Sequence, residues 1–269
     1  VGTLPVQEYG DALLSGKPFR RHLPSVPARV LSDAPSLPSG ARGLALLEGA
    51  RPPSETLSMI ENARGVPDVV PITIEDAERC PRYLGLVLQN VRVQAAPFRM
   101  RHRLFLLGQR SIDGVVDATN WALLETGHPI HAFDVERLAG PRIVVRRAKD
   151  GEAATTLDGV VRKLSADDLV IADAERPVAI AGVMGCAGSG VSATTRTVLL
   201  EVAYFDPRTV RRTSRRHGLH TEASHRFERG ADPHALPWVL RRAATLLAQV
   251  SGAAPAPVAV DAEVRIVVP

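Results

Sequence analysis

The sequence has few aromatic residues, few cysteines and no long apolar run. Aromatics make up 4% of the 269 residues and hydrophobic residues 45%, so we expect a core of aliphatic side chains, and wholesale disorder is excluded. No apolar run approaches the roughly 20 residues of a membrane-spanning helix, and residues 1–10 lack the features of a signal peptide. We therefore expect a cytoplasmic protein that has no membrane partner.

The two cysteines, Cys80 and Cys186, lie far apart in the sequence. Two such residues form neither a disulfide framework nor a recognisable zinc spacing, and they suit a reducing compartment. The net charge is +4, and most of the cationic side chains are arginines, whose planar fork suits phosphate. This charge is compatible with nucleic-acid binding, but a codon bias towards arginine would produce the same composition.

The sequence divides into two parts near residue 70. Residues 1–70 are rich in proline, and we predict an irregular extension or linker there, with short helical pieces at 41–48 and 55–64, the second capped by Ser54. Residues 71–269 have the pattern of a compact domain. Strands are predicted at 83–93, 142–147, 154–157, 160–164, 169–172, 178–181, 197–203 and 258–268.

Helices are predicted between these strands. Cap, proline and glycine signals place them at 98–107, at 115–126, from Asp206–Pro207 to Gly218, and from Asp232–Pro233 to about residue 250, where Pro237 in the first turns leaves the exact start open. An Asp158–Gly159 pair predicts a hairpin turn between two of the short strands. Many short strands with interspersed helices predict an α+β fold.

Two segments carry residues that chemistry could use. His128 and His131, three residues apart, permit either a shared metal or two ordinary loop histidines, and the sequence positions no third ligand. The glycine-rich segment 181–191 matches neither a P-loop nor a dinucleotide-binding turn. It predicts either a close approach of the backbone to a ligand or a tight connection between two strands.

Two charged features carry further hypotheses. Glu201 ends a run of apolar residues in a predicted strand, where a carboxylate either has a partner or function or faces solvent at the strand end. Residues 208–229 contain seven arginines and three histidines, a pattern that suits phosphate binding or a solvated helix face.

Several ordered motifs resemble the editing module of the bacterial phenylalanyl-tRNA synthetase beta subunit. They are C-P-R-Y-L at 80–84, S-I-D-G-V-V-D-A-T-N at 111–120, H-P-I-H-A-F-D at 128–134, T-T-L-D-G at 155–159, L-V-I-A-D at 169–173, A-G-V-M-G at 181–185 and R-R-H-G-L-H-T-E-A-S-H-R-F-E-R-G-A-D-P at 215–233. The resemblance covers roughly seven-tenths of the chain. It implies that residues 71–269 form a layered β/β/α domain with an unusual β-sandwich, which hydrolyses tyrosine wrongly attached to tRNA(Phe).

The resemblance also implies a role for individual residues. The residues that correspond to those acting on the ester are His131, Asn120 and Thr221. The residues that correspond to those binding the amino acid are Arg110, Gly182, Gly185, Glu201 and Ala223, with Glu201 on the tyrosine hydroxyl and Ala223 leaving room for the ring. For tRNA binding we assign Arg211, Arg212, Arg215 and Arg216.

The same resemblance implies partners and cofactors. Editing is expected to need no cofactor or metal, whereas the complete synthetase needs ATP and magnesium. The implied partners are tRNA(Phe), tyrosine and, in the full enzyme, the synthetase alpha subunit. The chain lacks the synthetase's catalytic motifs, so we predict an aminoacyl-tRNA ester hydrolase and no synthetic activity.

The chain departs from the family pattern at a few positions. Cys186 and Ala187 stand where the family has a glycine and an acidic residue, and His128 stands where glutamine is common. Cys186 could narrow the pocket or leave its backbone unchanged. The competing hypotheses are a noncatalytic tRNA-binding or subunit-interaction module and a histidine-dependent metallohydrolase.

Overall fold

The computed structural model describes residues 69–263, without the side chains of residues 255–258. The predicted helical pieces at 41–48 and 55–64, with Ser54, lie outside the described residues. So do residues 264–268 of the last predicted strand. The irregular extension at 1–70 therefore stays a prediction.

Two sheets form the frame of the domain. The first sheet has the order β1 (Ile72–Ile74), β4 (Ile143–Arg147), β7 (Leu169–Ala172), β8 (Pro177–Ile180) and β9 (Met184–Gly185). The second has the order β11 (Ala254–Glu263), β2 (Arg82–Gln89), β10 (Val198–Tyr204) and β3 (His131–Asp134). β1 and β4 are parallel and the other pairs are antiparallel. A separate hairpin joins β5 (Ala153–Thr155) to β6 (Val161–Lys163).

The helices begin and end where local capping chemistry allows. They are α1 (Phe98–Leu106), α2 (Gly114–Thr126), α3 (Pro207–His217), α4 (Glu222–Phe227) and α5 (Leu236–Ser251). The Asp206 side chain accepts a hydrogen bond from the Thr209 backbone at the start of α3, and Gly218 ends that helix with a left-handed φ of 63°. Gly127 ends α2 in the same way, with a φ of 74°. These boundaries confirm the predicted ends of both helices.

The layers follow from the alternation of side chains along the strands. On β10, Leu199 and Ala203 pack between the two sheets, whereas Leu200 and Val202 pack against α2 and α5 on the other face of the second sheet. The domain is thus a sheet, a second sheet and a helical layer. The predicted α+β class and β/β/α layering are confirmed. By the same alternation, residue 201 points into the layer between the sheets.

The predicted start of the last helix is wrong. Asp232 accepts a hydrogen bond from the His234 backbone and forms a turn, and the helix begins at Leu236. The reason is Pro237, which lacks a backbone N–H and is tolerated only in the first turn of a helix. Five short elements were not predicted from the sequence: β1, β3, β9, α4 and a 3-10 helix at Val135–Arg137. Strand β2 ends earlier than predicted, just before Asn90, whose φ of 58° breaks the extended chain.

Within residues 69–263 no helix is both long enough and apolar enough to cross a membrane.

Candidate functional site

A cavity of about 240 Å³ opens at one end of the layer between the sheets. Its walls come from the second half of α2, the start of β3, the turn between β8 and β9, the middle of β10 and the first turn of α4. The volume is at the small end of ligand pockets, which suits a single amino-acid side chain better than a nucleotide.

Seven of the eight residues that the resemblance assigns to the ester and the amino acid line this cavity. They are Asn120, His131, Gly182, Gly185, Glu201, Thr221 and Ala223. They come from five separate segments, so only the fold brings them together. The eighth, Arg110, is exposed in the loop before α2 and is not part of the cavity wall. Its assigned contact with the amino acid stays a prediction.

Glu201 is the buried carboxyl group of the cavity. It lies in the middle of β10, not at its end, and only 6% of its surface is exposed, so the solvent-facing interpretation is wrong. Burial raises its pKa to about 8, and the nearby hydroxyl of Tyr83 opposes this rise. At neutral pH the carboxyl group of Glu201 is therefore mostly protonated, and it can both accept and donate a hydrogen bond.

His131 is paired with Glu201 across the neighbouring strands β3 and β10. Its ring meets the edge of Phe133 at 4.4 Å between centroids, and its Cε1 and Nε2 atoms face Gly185. Desolvation lowers the pKa of His131 to about 4, so the imidazole is neutral at pH 7 and one ring nitrogen can accept a hydrogen bond.

Thr221 and Asn120 differ in the freedom of their polar groups. The hydroxyl of Thr221 accepts a hydrogen bond from the Ser224 backbone at the start of α4 and donates one to the Val183 carbonyl oxygen at 2.7 Å. The donated hydrogen bond uses the only proton of the Thr221 hydroxyl, and the two hydrogen bonds together hold the start of α4 against the glycine-rich turn. The Asn120 amide makes no side-chain hydrogen bond within residues 69–263 and can bind a ligand directly.

Gly182 and Gly185 let the backbone form the cavity wall. Gly182 has a φ of 68°, and a β-carbon there would lie 2.9 Å from Val210 and 3.1 Å from Phe205. At Gly185 a β-carbon would lie 2.8 Å from the ring of His131. Of the two interpretations of segment 181–191, the tight connection between strands is present, and its glycines also line the cavity.

We expect Gly182→Ala to lower the free energy of unfolding by about 2–5 kcal/mol. The left-handed backbone contributes about 1–2 kcal/mol of this and the clash with α3 about 1–3 kcal/mol. Gly159 is a matched control, because it has a φ of 79° and a β-carbon added there would meet no atom within 4 Å. Gly159→Ala should therefore cost only the backbone part. Urea denaturation of both variants measures the difference, and equal losses would contradict the predicted clash.

His128 lies outside the cavity wall. It is buried, its Nδ1 is 3.0 Å from the Pro129 carbonyl oxygen, and its ring meets the edge of Phe227 at 5.7 Å. Its Nε2 has no hydrogen-bond partner, and burial lowers its pKa. In the described part of the chain no group of three or more His, Cys, Asp or Glu side chains is arranged to hold a metal ion.

Much of the apolar wall of the cavity was not predicted from the sequence. Further lining residues include Leu123, Leu157, Met184, Phe205 and Phe227. The most exposed of these is Leu157, at 56%, which lies on the hairpin beside Gly185. The sequence does contain a signal for helix α4, because Thr221 and Ser224 form a capping box at its start. Cys186 is buried but does not line the cavity.

The arginines of α3 fall into two groups. Arg208, Arg211, Arg212 and Arg215 are exposed, follow the spacing of one helix face and make no ion pair within residues 69–263; we call them the α3 basic face. Arg216 instead binds the fully buried carboxylate of Asp168, together with His217 at 2.8 Å. This ion pair gives Arg216 a structural role, and since the residue is also exposed, its assignment to tRNA binding stays a prediction.

Comparison with known proteins identifies the family. The B3/4 domain model matches residues 79–252, more than half of the chain. The chain is 49% identical over 233 residues to the phenylalanine–tRNA ligase beta subunit of Anaeromyxobacter dehalogenans, covering 87% of this chain and 29% of that protein. It is also 54% identical over 181 residues to that of Syntrophotalea carbinolica, covering 67% of this chain and 22% of the relative.

A solved structure gives a more distant likeness. An N-terminal fragment of the phenylalanyl-tRNA synthetase beta subunit from Pyrococcus horikoshii is 14% identical, with a TM-score of 0.46, covering 70% of this chain and 50% of that one. The chain spans less than a third of the length of the curated relatives described above. From the family match and these identities, the chain belongs to the B3/4 domain family and corresponds to the B3/4 region of phenylalanine–tRNA ligase beta subunits.

Proposed function

We propose that the cavity is an editing site that hydrolyses tyrosine wrongly attached to tRNA(Phe). The observation that supports this most is the buried carboxyl group of Glu201 in a cavity with otherwise mainly apolar walls. A buried carboxyl group there is unfavourable unless a ligand or neighbour hydrogen bonds with it. The hydroxyl of a tyrosine side chain would supply that partner.

The proposed selectivity follows from the one atom by which the two amino acids differ. An apolar pocket rejects an added hydroxyl by only about a hundredfold, so a synthetic site for phenylalanine admits some tyrosine. A second site that pairs with the hydroxyl selects the wrong product. With phenylalanine bound, the polar group of Glu201 would remain without that partner, at about 1–3 kcal/mol.

Hydrolysis in this proposal uses a positioned water molecule. The water oxygen attacks the ester carbonyl carbon, the bond from that carbon to the ribose oxygen breaks, and a proton from the water passes to the ribose oxygen, so that tyrosine and a tRNA 3′ end with a free hydroxyl leave. The neutral imidazole of His131 accepts a hydrogen bond from the water. The free amide of Asn120 binds the substrate beside it, while Thr221 fixes the wall. An aminoacyl ester is already activated, so positioning supplies much of the rate.

The test is deacylation of tyrosyl-tRNA(Phe) by the 269-residue chain, with phenylalanyl-tRNA(Phe) in parallel. Selective release of tyrosine above the rate in buffer is the expected result. If neither ester is hydrolysed and free tyrosine does not bind, the proposed editing site is wrong. Binding of tRNA without hydrolysis would favour the noncatalytic alternative.

The relatives suggest the wider setting of this activity. Their names describe a phenylalanine–tRNA ligase beta subunit. We propose that the chain acts within such a ligase, with an alpha subunit as partner and tRNA(Phe) as the nucleic acid. No cofactor is proposed for editing, and ATP and magnesium would serve only the complete ligase.

We expect the α3 basic face to contribute to tRNA binding. Reversing two of its charges, Arg211→Glu with Arg215→Glu, should weaken tRNA(Phe) binding at least tenfold at low salt, because phosphate contacts dominate such affinities. The fold should be unaffected, since both side chains are exposed. The measurement is a filter-binding titration at two salt concentrations. Unchanged affinity would remove α3 from the RNA interface.

Arg216→Ala provides the contrasting variant. It leaves the buried Asp168 with fewer partners, although the Ser165 backbone, Thr213 and His217 still bind that carboxylate. We expect a loss of stability of about 1–3 kcal/mol, with a smaller loss of tRNA affinity than the double charge reversal causes. The two variants thus separate a surface charge from a structural ion pair.

A further inference from the structure

A fully buried hydroxyl group on β2 has no hydrogen-bond partner. It belongs to Tyr83, whose side chain is 0% exposed and packs between the two sheets. Buried polar atoms in proteins nearly always have a partner, and an exception needs an explanation. The ring accounts for the apolar packing at this position, but phenylalanine would pack as well. Packing alone therefore does not explain the hydroxyl.

The group beside this hydroxyl is the carboxyl of Glu201. In the antiparallel pairing of β2 with β10, Tyr83 lies opposite Ala203 and Glu201 lies opposite Gly85. Tyr83 and Glu201 are therefore diagonal neighbours on one face, and Gly85 places no side chain between them. The hydroxyl interacts with the Glu201 carboxyl group and so opposes the rise in its pKa, but the geometry of this contact falls short of a regular hydrogen bond.

The other titratable groups around Glu201 donate no hydrogen bond to its carboxyl group within residues 69–263. The Cys80 thiol is directed to the Arg82 carbonyl oxygen at 3.7 Å, and burial raises its pKa. His131, opposite on β3, makes no hydrogen bond with the carboxyl group in the described structure. Glu222 is exposed at the cavity rim and pairs with Arg226.

We infer that Tyr83 is a positioning residue for recognition of a ligand's phenolic hydroxyl, acting through Glu201; this rests on the proposed editing function. When tyrosine binds, Glu201 releases its proton to solvent; one oxygen of the resulting carboxylate accepts the ligand hydroxyl, and the other accepts the hydroxyl of Tyr83. A buried carboxylate is favoured when two or three donors satisfy it. Strand β2 thus carries a hydroxyl, that of Tyr83, which donates its hydrogen bond to Glu201 only when tyrosine occupies the cavity.

The test is Tyr83→Phe in the full 269-residue chain, assayed on tyrosyl-tRNA(Phe) and phenylalanyl-tRNA(Phe). We expect kcat/KM for the tyrosyl ester to fall about tenfold through KM, with kcat nearly unchanged, because the ligand hydroxyl takes no part in the bond changes at the ester and its hydrogen bond contributes equally to substrate and transition state. Hydrolysis of the phenylalanyl ester should stay within about twofold. Tyr204→Phe is the matched control, since Tyr204 is on β10 but packs on the helical side.

The outcomes separate the inference from the proposed function. If wild type and Tyr83→Phe discriminate equally well, the inference is overturned while the editing site stands. An equal loss on both esters, or a fall in kcat without a change in KM, would indicate a merely structural role and also overturn it. Inactive wild type would remove the proposed function first. Thermal unfolding checks that Tyr83→Phe folds, as expected for the loss of a hydroxyl without a partner.

Discussion

Glu201→Ala is expected to abolish the preference of this domain for tyrosyl over phenylalanyl esters. The substitution removes the group that would hydrogen bond with the tyrosine hydroxyl at the buried end of the cavity. A hydrogen bond from the ligand hydroxyl to the ionised carboxylate of Glu201 would contribute about 1.5–3 kcal/mol, so the ratio of the two kcat/KM values should fall about 10–100-fold. Deacylation kinetics on both charged tRNAs measure this ratio.

Two further variants sharpen this experiment. Glu201→Gln keeps an acceptor of the same size, so it should retain part of the preference. Glu222→Ala is the matched control, because Glu222 also lines the cavity but is exposed and pairs with Arg226. It should leave the ratio within about threefold. A Glu201→Ala protein that still prefers tyrosine would refute the assigned role of this carboxyl group.

The free energy of unfolding is expected to fall as pH rises from 6.5 to 8. Glu201 has a folded pKa of about 8 against a reference value of 4.5, so the folded state holds a proton that the unfolded state has released. Its stabilising contribution is fully present below pH 4.5 and is lost as pH rises towards 8. At about 1.4 kcal/mol for each pH unit, the fall from 6.5 to 8 is about 2 kcal/mol.

His131 sets the lower limit of that pH window. Its folded pKa of about 4 lies below the reference value of 6.5, so the unfolded state binds more protons between these values, and stability falls as pH decreases through them. The effects of Glu201 and His131 therefore oppose each other below pH 6.5. Above pH 6.5 the titration of Glu201, and not that of His131, changes the free energy of unfolding.

Chemical denaturation of wild type and Glu201→Gln at pH 6.5, 7.25 and 8 checks this prediction. The wild type should lose about 2 kcal/mol across the series, and the variant should be nearly flat, because glutamine does not titrate. Parallel slopes in the two proteins would show that the carboxyl group of Glu201 is already ionised in the folded state.

Local signals were enough to predict most helix and strand positions. The Asp206–Pro207 pair and Gly218 fixed both ends of α3, and Gly127 fixed the end of α2, because capping depends on hydrogen bonds within one turn. The same reasoning failed at Asp232, where two local signals competed. Pro237 prevailed, since its missing N–H excludes any earlier helix start that would place it in the interior.

The site could be assembled only in part from the sequence. The ordered motifs identified candidate residues of the cavity wall, because each motif is a contiguous string that can be matched to a family. They did not distinguish Arg216, which binds a buried carboxylate, from its neighbour Arg215, which makes no ion pair within residues 69–263. They also did not separate Arg110 from the residues that line the cavity. Both distinctions depend on which way a side chain faces in the folded domain.

The sequence by itself determined the family, the α+β class, the caps of the helices and the set of candidate residues. Only the tertiary structure decided that Glu201 lies in the middle of a strand between two sheets, beside the unpaired hydroxyl of Tyr83. Propensity and capping act over a few neighbouring residues, whereas burial depends on contacts between segments more than a hundred positions apart in the chain, such as β2 and β10. The pKa of Glu201, and with it the chemistry proposed for the cavity, is set by that burial.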